Sequence, residues 1–429
     1  MSFSFNTLLK LKGFPVKKAS EFFNKISTVK ETSSWQEEKC FEIFKYHFKN
    51  NSHYKTLVTK PIHKWSDIPI LEKKDLRVDT SRNKTRYKKY YIRNTSGSTG
   101  TPFYYALDYF NHALTWMLFS NRYKELGISL NDKQARFFGS PSNSKENLKE
   151  KLKDYISNRH RFSLLDLSDR TFERWIRKFR LHRLEYIYGY SFPIISFCNY
   201  LKKQQIILKE VCPRLKAIIV TAETCSEQDE ILIRETTKLP IANEYGASEL
   251  GIIGFGETNK WKLSEELLYI EIVDESDNLV PDGQLGRIIC TSLFNKATPF
   301  IRYDIGDLGC IETVDNKRYI TKLEGRKEEL MFLPSGRKLP GDTFFYYIIK
   351  DFAQKFKALI EYRVIQKTIS DFQILIVASI DIQDKDITLL KKLIDNRLNE
   401  DVTIIVSQVE NIERSKMGKF RRFISLISN

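Results

Sequence analysis

The chain has 429 residues, more than one hydrophobic core normally serves, so we expect at least two domains. Hydrophobic residues make up 41% of the sequence and aromatic residues 13%, which excludes intrinsic disorder and favours a packed, enzyme-like interior. The formal net charge of +16 permits a polyanionic partner.

The sequence shows no targeting or anchoring segment. Lys10 and Lys12 interrupt the apolar residues near the N-terminus, and the longest uncharged stretch, Tyr186 to Leu201, is shorter than the roughly 20 residues that a membrane span needs. The six cysteines are widely spaced, without C-x-x-C pairs or nearby histidines, so we expect buried thiols in a reducing compartment rather than a zinc site or disulfides. We therefore expect a soluble, cytoplasmic protein with no transmembrane segment.

The first eighty residues read as helices, for example Trp35 to Asn50, in which apolar residues recur near the helical period. From about residue 85 to residue 325, short apolar strands alternate with helices, which predicts an α/β architecture. The clearest strand candidates are Leu184–Tyr188, Ala217–Thr221, Tyr269–Val273 and Arg287–Thr291.

Near Gly325 this rhythm changes. A hairpin-like piece follows over Met331–Gly341, and then a helix. After it come a strand over Gln373–Ser379, a helix over Asp386–Leu398 and a strand over Val402–Val409. We predict a large multi-layer α/β domain over residues 1–325, with a mainly helical lead-in over 1–80, and a small α+β domain over residues 326–429.

Basic residues concentrate between Lys145 and Arg183. Their charges alternate with acidic ones along the predicted helices Ser144–Asn158 and Asp169–His182, which is typical of a solvated helix face. The alternative is a docking surface for an acidic carrier, a nucleotide-like cosubstrate or the membrane surface.

A loop made almost entirely of hydroxyl side chains and glycines follows the strand-like residues 89–93; it reads Asn94-Thr95-Ser96-Gly97-Ser98-Thr99-Gly100-Thr101-Pro102. Glycine lets backbone N–H groups approach an anion closely, and Ser and Thr hydroxyls donate to phosphate oxygens. No Lys follows Gly100, so this is not a Walker loop. Taken alone, the stretch is better read as a Ser/Gly turn or linker.

Two further segments carry carboxylates. In Asn243-Glu244-Tyr245-Gly246-Ala247-Ser248-Glu249, the carboxylate of Glu249 could hold Mg²⁺ and Tyr245 offers an aromatic face for a base. Asp307 follows a glycine, where a carboxylate can accept hydrogen bonds from both hydroxyls of a ribose. Taken singly, Glu249 reads as a helix N-terminal acid and Asp307 as part of an Asx-turn.

Two more segments carry cations beside glycine. Gly325-Arg326 lies at the predicted domain boundary, where a hinge could bring the guanidinium to a nucleotide. Lys419 follows Gly418 near the end of the chain and could enter a site as a compact positive charge, stabilising charge on a reacting carboxylate and α-phosphate. Taken singly, these segments read as a charged linker and a solvated basic tail.

In this order, the five segments resemble the adenylate-forming superfamily of acyl-CoA synthetases, luciferases and nonribosomal adenylation domains. The similarity is greatest to the phenylacetate-CoA ligase and capsule-biosynthesis CapK branch, and it covers nearly the whole chain. Three further stretches support it: Ile68 to Arg77, Tyr188 to Ser191, and Thr221 to Thr224.

The resemblance implies an acetyl-CoA synthetase-like fold, whose small, mobile C-terminal domain rotates between half-reactions about a hinge near Glu328. It implies that Lys419 and Glu249 are catalytic and that Glu249 binds Mg²⁺. The implied nucleotide-binding residues are Thr95, Ser96, Gly97, Ser98, Thr99, Gly100, Thr101, Tyr245, Gly246, Ser248, Asp307 and Arg326. The implied acyl pocket comprises Tyr188, Gly189, Tyr190, Ala222, Glu223, Asn243 and Glu244.

The implied reaction joins a small-molecule carboxylic acid to AMP from ATP, releases pyrophosphate, and passes the acyl group to a second nucleophile. Coenzyme A is the default acceptor, and a phosphopantetheine arm on an acyl carrier protein is nearly as plausible. An amino sugar, in capsule or O-antigen assembly, is a third candidate. The basic region from Arg174 to Arg183 could serve either thiol, and the pocket residues do not identify the acid.

Two departures from the family pattern stand out. The common Tyr-Arg-Thr-Gly-Asp appears as Tyr303-Asp304-Ile305-Gly306-Asp307, and the hinge acids read Lys327-Glu328-Glu329. Both changes weaken a match to the phenylacetate ligase itself, although neither removes an implied ligand.

The sequence also offers two other classes of protein as alternatives. The net charge and the stretch Ser415 to Lys419 suggest a nucleic-acid- or tRNA-dependent protein, but there is no His-Ile-Gly-His element and the lysines are not interleaved with aromatics, so no specific nucleic acid is expected. The other class is a catalytically silent scaffold with the same fold. The joint presence of Glu249, Asp307 and Lys419 argues against it.

Overall fold

The computed structural model describes residues 5–29, 32–76, 89–94, 103–138, 144–164, 167–223, 225–326, 330–413 and 421–427. They form two compact units. The large unit contains the described residues of 1–305 and 309–322, and the small unit contains 306–308 and the described residues from 323 onward, up to 427. The main division at 322/323 lies three residues before the boundary predicted from the sequence.

The large unit begins with helices and then alternates helices with strands. Its helices are α1 (Phe5–Leu11), α2 (Val16–Ile26), α3 (Thr32–Asn50), α4 (Ser52–Leu57), a 3₁₀ turn (Trp65–Asp67), α5 (Tyr109–Glu125), α6 (Ser144–Ile156), α7 (Asp169–His182), α8 (Ser191–Lys203), α9 (Leu208–Val211) and α10 (Glu227–Thr237).

Helix α7 shows how sequence sets these elements. Phe172, Trp175, Ile176 and Phe179 recur at helical spacing and are buried, so one face of the helix packs on the core. Arg183 ends the helix with a left-handed backbone, φ 50°.

The strands that lie wholly or mainly in the large unit are β1 (Tyr90–Asn94), β2 (Tyr104–Asp108), β3 (Gln134–Phe137), β4 (Arg159–Arg161), β5 (Tyr186–Tyr190), β6 (Ala217–Thr221), β7 (Ile241–Ala247), β8 (Gly251–Glu257), β9 (Lys260–Leu263), β10 (Leu268–Val273), β11 (Gly286–Ser292), β12 (Tyr303–Val314) and β13 (Lys317–Arg326). Among the described residues, eleven of these strands form one sheet in the order β10-β11-β12-β13-β9-β8-β7-β6-β5-β3-β4. β1 and β2 form a separate antiparallel hairpin in which Asn94 is paired with Tyr104, so the hydroxyl-rich stretch connects two antiparallel strands.

The block β4-β3-β5-β6-β7 is parallel. Helices α7, α8 and α10 accompany its strands, and their apolar faces pack with the sheet into one core that includes Phe137, Phe162, Trp175, Phe179 and Ile218. The rings of Phe137 and Phe162 stack at 4.6 Å between centroids. Because parallel strands point the same way, their carboxyl ends meet at one edge, where ligands of open α/β sheets bind.

The small unit is an α+β domain. It has a hairpin of β14 (Leu330–Phe332) and β15 (Lys338–Pro340), helices α11 (Gly341–Lys355) and α12 (Asp384–Leu398), and strands β16 (Leu359–Gln366), β17 (Asp371–Ala378), β18 (Thr403–Gln408) and β19 (Phe423–Ser425). The last four strands form a sheet in the order β18-β17-β16-β19. Phe345, Ile348, Phe352, Val364 and Leu390 are among the residues of its separate core.

The structure confirms the predicted fold class: a large α/β unit with a wide mixed sheet, followed by a small α+β unit. All six cysteines are buried, as expected, and none takes part in a disulfide. Within the described ranges, no helix is both long and apolar enough to cross a membrane.

Candidate active site

The predicted acyl-pocket residues Tyr188, Tyr190 and Glu244 all lie at the carboxyl edge of the parallel strands. β5 carries both tyrosines, and the next strands place Thr221 of β6 directly beside Glu244 of β7. Three separate stretches of sequence therefore converge here, because parallel strands end at the same edge.

Glu244 is a buried carboxyl group in a ring of hydroxyls. Tyr188 donates its hydroxyl to Oε1 of Glu244 at 2.8 Å, and Tyr123 of α5 makes a longer contact of 3.4 Å with Oε2. Thr221 donates to the backbone carbonyl of Glu244 at 3.0 Å. Desolvation raises the pKa of Glu244 to about 7, although these hydrogen bonds act in the opposite direction. Near neutral pH the group is therefore divided between its protonated and ionised forms.

Arg136, on β3, puts a positive charge beside this carboxyl group. Its guanidinium carbon lies 4.2 Å from the ring centroid of Phe138 and 5.9 Å from that of Tyr188. Its Nη1 donates to Oε1 of Gln134 at 3.1 Å, whereas its buried Nε has no hydrogen-bond partner among the described residues. Desolvation lowers the pKa of Arg136 to about 10, so it remains a cation at neutral pH.

Glu249, the implied magnesium ligand, is nearly buried and accepts a hydrogen bond from the hydroxyl of Tyr303 at 3.0 Å. The neighbouring carbonyl of Ser248 accepts one from the hydroxyl of Tyr105 at 2.7 Å. Tyr105 belongs to β2, three positions after the end of the hydroxyl-rich stretch. The strand that leaves this stretch is therefore fixed beside Glu249.

The turn before Glu249 depends on glycine. A Cβ atom at Gly246 would lie 2.4 Å from the carbonyl oxygen of Gly251, too close for any other residue without a backbone shift. The register between β7 and β8 also shifts between Tyr245 and Gly246, a bulge that changes the direction of the chain at the half-buried Tyr245.

The remaining implied pocket residues make contacts within the protein. Glu223 accepts a hydrogen bond from the backbone N–H of Phe192 at 3.0 Å, which caps the first turn of α8. Asn243 donates to Oγ1 of Thr258 at 3.0 Å. Ala222 has a left-handed backbone, φ 67°, at the end of β6, a strained conformation of the kind that often occurs at functional sites.

Gly189 lies against the neighbouring strand β3. A Cβ atom there would be 2.3 Å from the carbonyl oxygen of Phe137, so the pocket edge of β5 requires glycine at this position.

Several predicted residues lie outside the described residues: Thr95 to Thr101, Glu328 and Lys419. Arg326 ends β13, and only its backbone is described. Asp307 is half-buried in β12, in the short piece that groups with the small unit. Their roles remain predictions.

The carboxylates of the candidate site can be compared with the ligands that Mg²⁺ prefers. Across the described part of the chain, no three His, Cys, Asp or Glu side chains converge on a metal position. Mg²⁺ usually keeps several waters and takes one or two carboxylates together with substrate phosphates. The single carboxylate of Glu249, oriented by Tyr303, fits a hydrated ion brought in by a nucleotide rather than an all-protein cage.

Sequence reasoning did not assign Tyr123, Arg136, Phe138, Tyr105 or Tyr303 to the site. Arg136 had a weaker signal, because the short strand that carries it, Gln134–Phe137, alternates polar and apolar residues. Tyr123 had none, because it sits inside a helix whose sequence does not indicate which strand it covers.

Comparison with known proteins gives three kinds of similarity. Residues 345–426 match the family model of the CapK C-terminal domain. The phenylacetate-coenzyme A ligase of Pseudomonas putida is 31% identical over 130 residues, and that of Aromatoleum evansii is 27% identical over 129 residues. Each match spans 28% of this chain and 29% of the length of the relative.

Two solved structures illustrate the third similarity. A 2-hydroxyisobutyryl-CoA ligase in the postadenylation state, in complex with 2-HIB-AMP, superposes with a TM-score of 0.68 at 14% identity, covering 91% of this chain and 88% of that one. ATP-bound MatB from Rhodopseudomonas palustris gives 0.53 at 15% identity, covering 78% and 66%. The fold is therefore that of the acyl-CoA ligases, and the resemblance identified in the sequence is confirmed.

Proposed function

We propose that this protein activates a small carboxylic acid with ATP, producing an acyl-adenylate and pyrophosphate, and then transfers the acyl group to a thiol. The hydrogen bond from Tyr105 to Ser248 supports this most directly, because it ties the strand after the hydroxyl-rich stretch to the segment that carries Glu249. Phenylacetate-CoA ligases among the relatives, and acyl-AMP and ATP in the structural neighbours, support the same reaction.

The main physical problem of this reaction is charge, because a carboxylate and a triphosphate repel each other. In our proposal, Thr95 to Thr101 donate to the phosphates, Asp307 accepts hydrogen bonds from the ribose hydroxyls, and Arg326 contacts the nucleotide. Mg²⁺, when held by Glu249, would neutralise part of the triphosphate charge. Lys419 would stabilise the charge that develops on the α-phosphate and the attacking carboxylate.

The acyl group would occupy the carboxyl edge of β3, β5 and β7. Phe138 supplies an aromatic wall with Tyr188 and Tyr190, at centroid distances of 5.1 and 4.6 Å. Glu244 and Arg136 add a titratable carboxyl and a cation, so the site combines aromatic surface with polar groups. We therefore propose a substrate acid that also carries a polar substituent.

Coenzyme A is the proposed thiol, with a carrier-bound phosphopantetheine arm as the alternative. An amino sugar remains the third candidate acceptor, raised by the resemblance to the CapK branch. A hydroxamate trapping assay separates the first half-reaction from the acceptor question, because it detects activated acyl groups without the natural nucleophile.

ATP–pyrophosphate exchange with a panel of aryl, short-chain, hydroxy and amino acids tests the proposal. We expect at least one acid to support exchange. Lys419→Ala should lower that exchange by about 10²- to 10³-fold, the usual loss for one preorganised donor, while ATP binding is retained. Lys416→Ala, in the same segment, is the matched control and should exchange at the wild-type rate.

A Lys419→Ala variant that exchanges pyrophosphate at the wild-type rate would show that this side chain takes no part in adenylation. Absence of exchange with every acid, combined with a salt-dependent gel shift of RNA, would replace the proposed reaction with nucleic-acid binding.

A further inference from the structure

Helix α6 has its apolar face turned outward. Leu148, Leu152 and Tyr155 are 70, 59 and 84% exposed. Their spacing of four and then three residues aligns them on one face of the helix. A surface helix normally turns such a face toward the core, so this stripe is the reverse of the usual arrangement.

The opposite face of α6 is polar and is held by charge. Asp154 is buried and accepts a hydrogen bond from Nε of Arg161 at 2.7 Å, and Glu150 accepts one from Nη2 of the same arginine at 3.3 Å. Arg161 belongs to β4, the edge strand of the large sheet. The helix is thus anchored through its carboxylates, and its leucines remain outside.

Lysines border the exposed stripe. At 100° per residue, Lys149 and Lys151 lie on either side of Leu148 and Leu152, and both are exposed. Asp154 is buried, and Glu150 pairs with Arg161 and with the exposed Lys153, so the charges of these carboxylates are taken up by cations other than Lys149 and Lys151. The surrounding sequence, from Lys145 to Arg183, contains 12 Lys and Arg against 6 Asp and Glu.

We propose that α6 is a docking helix for the surface of an anionic phospholipid bilayer. Leu148, Leu152 and Tyr155 would enter the boundary between headgroups and acyl chains, while Lys149 and Lys151 pair with lipid phosphates. Interfacial helices combine these features: an apolar face with leucine and an aromatic residue, bordered by lysine. The net charge of +16 favours the same partner.

The size of the stripe favours lipid over protein. A stable protein complex buries about 800 Å² on each partner, and three side chains on one helix fall well short of that area. A bilayer imposes no such minimum, since shallow insertion of a few apolar side chains adds to electrostatic attraction. This inference does not depend on the proposed ligase activity.

Vesicle co-sedimentation of the full-length protein tests the proposal, with vesicles of phosphatidylcholine alone or containing about 30% phosphatidylserine. We expect sedimentation with the anionic vesicles, lost at about 0.5 M NaCl because salt screens the lysines. The triple variant Leu148→Ser, Leu152→Ser, Tyr155→Ser should reduce the bound fraction by about tenfold. Its three positions are exposed, so melting temperature should be unchanged.

Two control variants match the test variants in the number and kind of side chains that are replaced. Ile231→Ser, Leu279→Ser, Leu285→Ser removes three exposed apolar side chains from other surfaces and should sediment like the wild type. Lys149→Gln, Lys151→Gln should weaken binding, whereas Lys45→Gln, Lys49→Gln on α3 should not.

Equal sedimentation of the wild type and the Leu148, Leu152, Tyr155 triple variant would overturn the proposal. So would a wild type that stays in solution with anionic vesicles. Dimerisation of the wild type in light scattering, abolished by the same triple variant, would assign the stripe to a second copy of the chain instead.

Discussion

Glu244 shows how neighbours distant in sequence decide the chemistry of one residue. Its carboxyl group contacts the hydroxyls of Tyr188 and Tyr123, which are 56 and 121 positions away. Burial raises the pKa of each tyrosine well above the ordinary tyrosine value. Both hydroxyls therefore stay protonated and can donate hydrogen bonds. A carboxyl group with a pKa near 7 can accept or release a proton at physiological pH.

Replacement of Glu244 by Gln should change the pH dependence of stability. The folded-state pKa of about 7 exceeds the ordinary glutamate value of 4.5, so between these values the folded protein holds a proton that the unfolded chain has lost. The free energy of unfolding of the wild type therefore falls as pH rises through this window. Glu244→Gln should remove this fall, a relative gain of up to about 3 kcal/mol at pH 8 compared with pH 4.

Urea unfolding at pH 4 and pH 8 provides the measurement, with the exposed Glu275→Gln as control. The control should follow the wild-type pH dependence. A Glu244→Gln variant that also follows it would show that the carboxyl group is not held in its neutral form.

At the scale of elements, a buried arginine fixes the segment between α4 and β1. Nη1 of Arg302 donates to the carbonyls of Ser66 at 3.0 Å and Ile68 at 2.8 Å. Its Nε contacts Oε2 of Glu271 at 3.3 Å, and Trp65 donates to the same oxygen at 3.0 Å. The stretch that resembles the branch signature is therefore held against the start of β12.

Arg302→Met should lower the free energy of unfolding by about 3–5 kcal/mol, because it leaves the carboxylate of Glu271 buried without its counter-charge. The double variant Arg302→Met, Glu271→Met should be less destabilised than the sum of the single variants predicts. Urea denaturation of the four proteins in this cycle measures the coupling.

The exposed pair Lys202 and Glu235, 3.2 Å apart, gives the matched control. Lys202→Met should cost under about 1 kcal/mol. Additive losses at Arg302 and Glu271 would show that the buried pair contributes no coupling.

Helices and strands could be predicted from the sequence where adjacent residues carry the pattern that forms them. Ala217–Thr221 and Asp169–His182 coincide with β6 and α7, because an uninterrupted apolar run and a helical period are both written into adjacent residues. Leu184–Tyr188 was placed two residues before β5, because its ends are set by pairing with β3 and β6 rather than by its own sequence.

The same limit applies to the site. Tyr188, Glu244 and Glu249 could be proposed from motifs, since each motif is a short run of sequence. The contact of the Tyr123 hydroxyl with Glu244 could not be predicted, because it depends on how α5 packs across the sheet. The outward stripe of α6 was also missed, because alternating charges along a helix indicate a solvated face and do not show which face the fold buries.

At the scale of the whole molecule, the described residues of each unit include a hydrophobic core of their own. Chains of this length commonly divide in this way, because single cores stop growing near 250–300 residues. Each core has its own sheet and helices, so each unit has the means to unfold cooperatively by itself.

Two probes can separate these unfolding events, because all five tryptophans lie in the large unit. Tryptophan fluorescence should therefore follow the large unit, whereas far-ultraviolet circular dichroism follows both.

Phe352→Ala opens a cavity in the core of the small unit and should cost about 3–5 kcal/mol of unfolding free energy there. We expect it to shift part of the circular dichroism transition and to leave the fluorescence midpoint unchanged. Ile218→Ala, in the core of the large unit, should shift the fluorescence midpoint. Equal shifts of both probes by Phe352→Ala would mean that the two cores unfold as one cooperative structure.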